Sequence, residues 1–389
     1  MKKKWFIICF LLSLFGPTAV YPLVKGRLDQ TNYENRQLAE FPDLSADGWE
    51  QFPSQFEAWY NDHVPFKNLF VRAKTKLDLK LLGQSAVSSV TVGKENWMFY
   101  TTSLEGEDAL ADYRRENLYT EAEVEALEAS IRAAKQEIEG RGMRFFLFEA
   151  PNKETIYGEY MPDSIRQCDG PSRLEAVIPR LREEGLPVYD LTEALRTEKE
   201  WMTENGAGQD ALYYKYDTHW NQLGAFAGSQ EMARILLGER TALSEVSYVR
   251  EANCSGDMAR MLNLSEEYVD DWIYRIDDYL PEVTVECVDG TPAGEFSMFV
   301  SDSPNDRTLL LVGDSYSQGI KPYLAKRYRR SIFITIETYE KTMLDQYPAD
   351  DFVYLTVERN QDRFEKVGEI LEKTEADRGI KQTADGVKK

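Results

Sequence analysis

The most constraining feature of this chain is an alternation that begins at residue 121 and runs almost to the end. Glu121–Gly140 carries apolar residues at helical spacing, with Thr120 as a candidate N-cap. Met143–Ala150 (MRFFLFEA) is an apolar strand stopped by Pro151. Arg173–Glu184, Asn221–Leu237, Gln318–Arg329 and Gln361–Lys373 read as further helices. Pro187–Leu191, Thr308–Val312 (TLLLV), Ser331–Ile336 (SIFITI) and Asp351–Val357 (DFVYLTV) read as further strands. Strands this uniformly apolar are buried on both faces, and the intervening helices can cover them. The pattern predicts an α/β fold built on a doubly wound parallel sheet. Residues 240–306 break the alternation and read as an insertion with its own hairpins.

Upstream of the alternation the chain is organised differently. Residues 26–50 are polar and read as an extended approach. Phe52, Phe56, Trp59 and Tyr60, then Phe66, Leu69, Phe70, Ala73, Leu77 and Leu81, lie at helical spacing, with Pro65 separating two helices. Val87–Tyr100 reads as two short strands around a Gly93–Asn96 turn. The expected divisions are an export segment at 1–25, an N-terminal region at 26–120, a catalytic domain at 121–374 and a disordered tail at 375–389.

Lys2, Lys3 and Lys4 precede the apolar run Trp5–Val24. A basic start before such a run directs a chain into or across a membrane. Gly16-Pro17 favours a signal peptide, and the lack of an A-x-A site favours an uncleaved anchor. Cys9 lacks the small residues of a lipobox. The remainder is expected to be extracytoplasmic, held to the membrane through the N-terminal segment only. Losing residues 1–25 removes four lysines and no acid, which takes the net charge from −21 to −25. Such a surface excludes nucleic acid as a partner. Of Cys168, Cys254 and Cys287, the pair Cys254–Cys287 is the candidate bridge.

TLLLV runs into Gly313-Asp314-Ser315-Tyr316-Ser317 and then a helix. Strand, tight turn, serine and helix together present a nucleophile at the carboxyl edge of a sheet, with the helix N-terminus offering N–H groups to an oxyanion. Gly313 is expected to permit the sharp turn. A serine needs a base, and the chain has only two histidines. His219 lies in Tyr216-Asp217-Thr218-His219-Trp220-Asn221. In an extended segment Asp217 and His219 point the same way, so Asp217 can orient the imidazole toward Ser315. His63, at a helix–Pro junction, is expected to be structural. Two histidines also rule out a multi-histidine metal site, and no nucleotide motif appears, so no cofactor or metal is expected.

With these residues in hand, the chain resembles the SGNH-hydrolase-like domain of the alginate O-acetyltransferases (the AlgX/AlgJ type) and the related DHHW proteins. GDSYS and DTHWN carry the resemblance. Glu34-Asn35-Arg36, Asn61-Asp62-His63-Val64-Pro65-Phe66, Val92-Gly93-Lys94, Trp97-Met98-Phe99 and Ala150-Pro151-Asn152-Lys153 support it. The His block precedes the Ser block, the reverse of ordinary SGNH hydrolases and the order of the acetyltransferase group. The resemblance implies a Ser315 nucleophile, a His219 base and an Asp217 orienter. It also implies an acetyl-serine intermediate, a polysaccharide acceptor and a membrane-bound O-acyltransferase as acetyl-donor partner.

Other site residues stay open. Asn152 and Asn360 each follow a strand at the correct edge and are candidate oxyanion donors. Lys153 and Arg359 are candidates for substrate contact. Tyr316 and Trp220 are candidates for stacking on a sugar, against the commoner role of core packing. The residues alone give acyl transfer. A secreted carbohydrate esterase with the same triad, or an inert envelope module, remains an alternative.

Overall fold

The computed structural model describes residues 2–31, 38–42, 51–82, 85, 87–103, 106–208 and 210–374. Glu34-Asn35-Arg36 and the tail expected to be disordered at 375–389 lie outside the described residues. Helix α1 (Lys2–Val24) leaves Trp5, Phe6 and Leu12 exposed. No single described helix is long and apolar enough to cross a membrane. The pair Lys4–Ser13 and Phe15–Arg27, bent by 42°, meets the requirement together. Helices α2 (Phe52–Asp62) and α3 (Lys67–Leu82) flank Pro65. Strands β1 (Val90–Val92) and β2 (Met98–Tyr100) form an antiparallel hairpin around Lys94–Asn96.

After α4 (Ala109–Arg114) come α5 (Glu121–Glu139), β3 (Arg144–Ala150), α6 (Lys153–Ile156), α7 (Arg173–Glu183), β4 (Val188–Asp190), α8 (Thr192–Glu204) and α9 (Gln222–Leu237). Thr120 caps α5 in a reciprocal bond pair with Glu123, and Asn221 caps α9. Next are β5 (Tyr248–Cys254), α10 (Asp257–Met261), β6 (Asp271–Ile276), β7 (Val285–Gly290), β8 (Phe296–Ser301), β9 (Thr308–Gly313) and α11 (Ser317–Leu324). The described part ends with β10 (Arg330–Thr335), α12 (Met343–Gln346), β11 (Asp351–Val357), α13 (Gln361–Glu365) and α14 (Val367–Leu371).

A seven-stranded sheet in the order β4-β3-β11-β9-β10-β8-β7 forms the centre. From β4 to β10 every pairing is parallel; β8 and β7 add on antiparallel. Successive side chains of each strand serve two cores. Phe146, Phe148, Leu309, Leu311, Val353 and Leu355 face Phe226 of α9 and Ile320 of α11. Phe145, Leu147, Leu310, Val312, Phe352 and Tyr354 face Leu127 and Ile131 of α5, Leu181 of α7 and Leu371 of α14. This two-sided burial explains the uniformly apolar strands.

Several expectations are corrected. The stretch 240–306 is only partly an insertion: β5 and β6 pair with each other, but β7 and β8 extend the main sheet. The hairpin β1–β2 belongs with the catalytic region, because Val90 and Met98 pack on Tyr216 and Met258. The helix after Ser315 stops at Leu324, and the last helix breaks at Lys366. Cys168, Cys254 and Cys287 are free thiols: Cys254 ends β5, Cys287 sits on β7, and the two strands lie in different sheets.

Candidate active site

Three neighbouring parallel strands end at one edge. After β9 come Asp314 and Ser315, after β11 come Glu358, Arg359 and Asn360, and after β3 come Pro151, Asn152 and Lys153. This is where an open α/β sheet offers loops to a ligand. The turn carrying Ser315 is pinned by a buried carboxylate. Asp314 Oδ1 accepts from Tyr316 N–H (2.9 Å), and its Oδ2 accepts from Val357 N–H (2.8 Å) and Asn360 Nδ2 (3.0 Å). Gly313 is needed for a reason other than the expected one. Neither it nor Ser315 has a positive φ. A Cβ at Gly313 would lie 2.9 Å from Ser317 Cβ and 3.1 Å from Leu355 O.

His219 reaches the same edge on a loop folded back upon itself, with Tyr213 paired to Trp220. Its Nε2 lies 2.8 Å from Ser315 Oγ, and its Nδ1 lies 2.7 Å from Asp217 Oδ1. The same Oδ1 accepts from His219 N–H (3.0 Å), an Asp side chain bonding backbone two residues on, so Asp217 and His219 meet in a bend rather than in the extended segment expected. Asp217 Oδ2 accepts from the backbone N–H of Asp257 (2.8 Å). Burial alone would raise the Asp217 carboxyl, but the bonds from His219 and Asp257 outweigh it and hold the group below its ordinary range. Ser315 is exposed, and among the described residues no acceptor meets its N–H. The arrangement can move a proton from a serine hydroxyl to an imidazole while a carboxylate stabilises the resulting cation.

The remaining candidates divide. Lys153, 2% exposed, spends its ammonium on the carbonyls of Tyr214 (3.0 Å), Lys215 (3.2 Å) and Asp217 (2.8 Å). It holds the His219 loop from beneath, so the substrate-contact expectation is corrected. Arg359, 8% exposed, sits against the rings of Tyr100 and Tyr316, with Glu107 3.4 Å away; it too is turned inward. Tyr316 is buried, donates from its hydroxyl to Thr218 O (2.6 Å) and packs on His219. Trp220 is buried and donates from Nε1 to Tyr316 O (3.1 Å). Both aromatics are core residues that lock the histidine to the elbow, and neither is open to a sugar. Asn360 is half-buried, with one amide hydrogen on Asp314. Asn152 is buried, and among the described residues neither atom of its side-chain amide has a partner.

His63 stays outside. Its Nδ1 bonds Trp59 O (2.8 Å) at the end of α2, which is the structural role expected. It lines a cavity of about 700 Å³ with Tyr21, Asp62 and Phe66, and that cavity shares no residue with the Ser315 cluster. Sequence reasoning missed Asp257, Gly256, Asp271 and Asp314. Asp271 Oδ2 accepts from the N–H groups of Lys215 and Tyr216. Asp257, Gly256 and Asp271 act on backbone far away in sequence, which leaves no local signal. Asp314 stood inside the GDS motif and was legible as a turn residue.

Fold and edge serine together define an SGNH-hydrolase-like α/β protein. The chain belongs to the family of the SGNH hydrolase-like domain of acetyltransferase AlgX, which matches residues 90–339. Among its relatives is a "Probable alginate O-acetylase AlgJ" of Pseudomonas aeruginosa, 28% identical over 271 residues. That match covers 67% of this chain and 63% of the relative, so the chain spans less than two thirds of the relative's length. Two solved structures are similar. One is a DHHW family protein from Eubacterium siraeum (14% identity, TM-score 0.47, 66% of this chain and 91% of that one). The other is the O-acetyltransferase domain of Pseudomonas putida AlgJ (15% identity, TM-score 0.41, 74% and 95%).

Proposed function

We propose that this chain is an extracytoplasmic O-acetyltransferase that carries an acetyl group on Ser315 and passes it to a hydroxyl of a cell-envelope or exported polysaccharide. The observation that carries the reading is the unbroken line Asp217–His219–Ser315, at 2.7 and 2.8 Å. Family membership and the acetylase relative support acetyl as the group transferred. Ser315 Oγ attacks the acetyl carbonyl while His219 Nε2 takes its proton. The oxyanion faces the free N–H of Ser315 and the second amide hydrogen of Asn360. Collapse expels the donor's leaving group, which takes the proton back from Nε2. A sugar hydroxyl then repeats the sequence on the acetyl ester, giving its proton to Nε2 and freeing Ser315. The basic start and apolar α1 support export and membrane attachment by a signal peptide or anchor. A membrane-bound O-acyltransferase would then supply acetyl groups from the cytoplasmic side.

Ser315 is open to solvent, which keeps hydrolysis by the same triad as the second reading. The test has two arms. A fluorophosphonate probe is expected to label the wild type and not Ser315→Ala; equal labelling of both removes the nucleophile assignment. With p-nitrophenyl acetate and an oligosaccharide, mass spectrometry is expected to find acetylated sugar. Release of p-nitrophenol with no acetyl gain under any donor condition makes the protein an esterase.

A further inference from the structure

We infer that Asp257 is a second carboxylate of the His219 base, acting through the Thr218 hydroxyl as a positioning residue; this rests on the triad reading above. Asp257 stands at the start of α10, about 40 residues beyond the histidine motif, and contacts it in three ways. Its backbone N–H donates to Asp217 Oδ2 (2.8 Å), which leaves Asp217 Oδ1 for the imidazole. Its Oδ1 accepts from Thr218 N–H (2.8 Å). Its Oδ2 accepts from Thr218 Oγ1–H (2.7 Å).

That last bond decides what Thr218 can do. A hydroxyl has one hydrogen. With it committed to Asp257, the oxygen turns lone pairs toward His219 Nδ1, 3.1 Å away. Nδ1 therefore meets two acceptors, Asp217 Oδ1 and a Thr218 oxygen polarised by a carboxylate. Both demand that Nδ1 carry the hydrogen, which leaves the Nε2 lone pair for Ser315. When Nε2 takes the serine proton, two negative groups face the imidazolium: Asp217 directly, and Asp257 with Oδ2 3.8 Å from Nδ1. The other groups around the imidazole are the buried Lys153 ammonium beneath the loop, the Asp271 carboxylate on the Lys215 and Tyr216 amides, and the Tyr316 ring.

Gly256 makes the approach possible. A Cβ there would lie 2.1 Å from Tyr216 O and 2.5 Å from Asp217 N. Nothing else would let α10 begin against the histidine loop.

Asp257→Asn keeps the backbone N–H and the side-chain shape and removes the charge. It is expected to lower kcat for p-nitrophenyl acetate by roughly tenfold to a hundredfold, by analogy with the loss of outer-shell partners of metal-bound histidines. KM should change little. The acid limb of the kcat/KM profile should move to lower pH, because losing an anion disfavours the imidazolium. Thr218→Val should reproduce the shift, Thr218→Ser should restore the wild-type profile, and the two lesions combined should be less than additive. An acid limb unmoved in both Asp257→Asn and Thr218→Val overturns the inference. Since Thr218→Val leaves Asp257 in place, a folding failure of one variant still leaves the other to decide. Ser315→Ala run in parallel separates the outcomes: turnover surviving there defeats the triad itself, whereas an inactive Ser315→Ala with an unmoved limb defeats only the role of Asp257.

Discussion

Lys153 holds its ammonium against three carbonyls of the loop that presents Asp217 and His219. Burial pushes its pKa down to about 8. Once deprotonated, the amine has two hydrogens for three carbonyls and turns a lone pair toward one of them. Turnover is therefore expected to fall as pH rises through about 8, and Lys153→Met should show low turnover without that limb. Stability moves the other way. The folded pKa lies below the unfolded value of roughly 10.4, so the unfolded chain binds more protons across that window and this group's contribution rises with pH. A kcat profile and thermal melts on the same samples check both. An alkaline limb identical in Lys153→Met would reject the role. Of the candidate site, the grouping of Ser315, His219 and Asp217 was legible because each sits in a compact motif and only two histidines compete. Lys153 and Arg359 were misread because sequence does not say which way a long side chain points, and here both are drawn inward by carbonyls and aromatic rings.

At the scale of elements, strand identity followed from apolar runs, and the start of α5 followed from its cap, Thr120. Elements defined by a distant partner were not visible. β7 (VECVDG) is mostly polar because it is the last strand of the sheet, and only its pairing with β8 makes it part of the centre. α10 is a five-residue turn whose importance lies in what its first N–H touches. Gly256→Ala tests that junction. The added methyl meets backbone atoms of Tyr216 and Asp217, which cannot swing aside as a flexible side chain would, so the histidine loop must shift. The expected result is a loss of about 1–3 kcal/mol in stability, the usual cost of forced overpacking. It should come with a larger relative loss in kcat than in probe binding, since misplacing the base slows chemistry most. Wild-type kcat in a folded Gly256→Ala protein would show that this close approach does not set the position of His219.

For the whole molecule, the charge of −21 gains meaning from the site. The two cations that sequence offered for substrate contact, Lys153 and Arg359, are both buried and spent on the protein's own groups. The carboxylates of Asp217 and Asp257 remain half-buried beside His219. An acceptor approaching Ser315 therefore passes the carboxylates of Asp217 and Asp257, while Lys153 and Arg359 are turned inward. Under the proposed transfer reaction, a neutral oligosaccharide should be acetylated several-fold faster than a uronate oligomer of equal length at low salt. Raising the ionic strength from about 0.01 to 0.15 M shortens the screening length from about 30 to 8 Å, so the gap should narrow mainly through faster reaction of the uronate. Initial rates for both acceptors across that salt range measure it. A uronate that reacts faster at low salt and loses its advantage as salt rises would indicate a basic groove beside Ser315 and overturn this expectation.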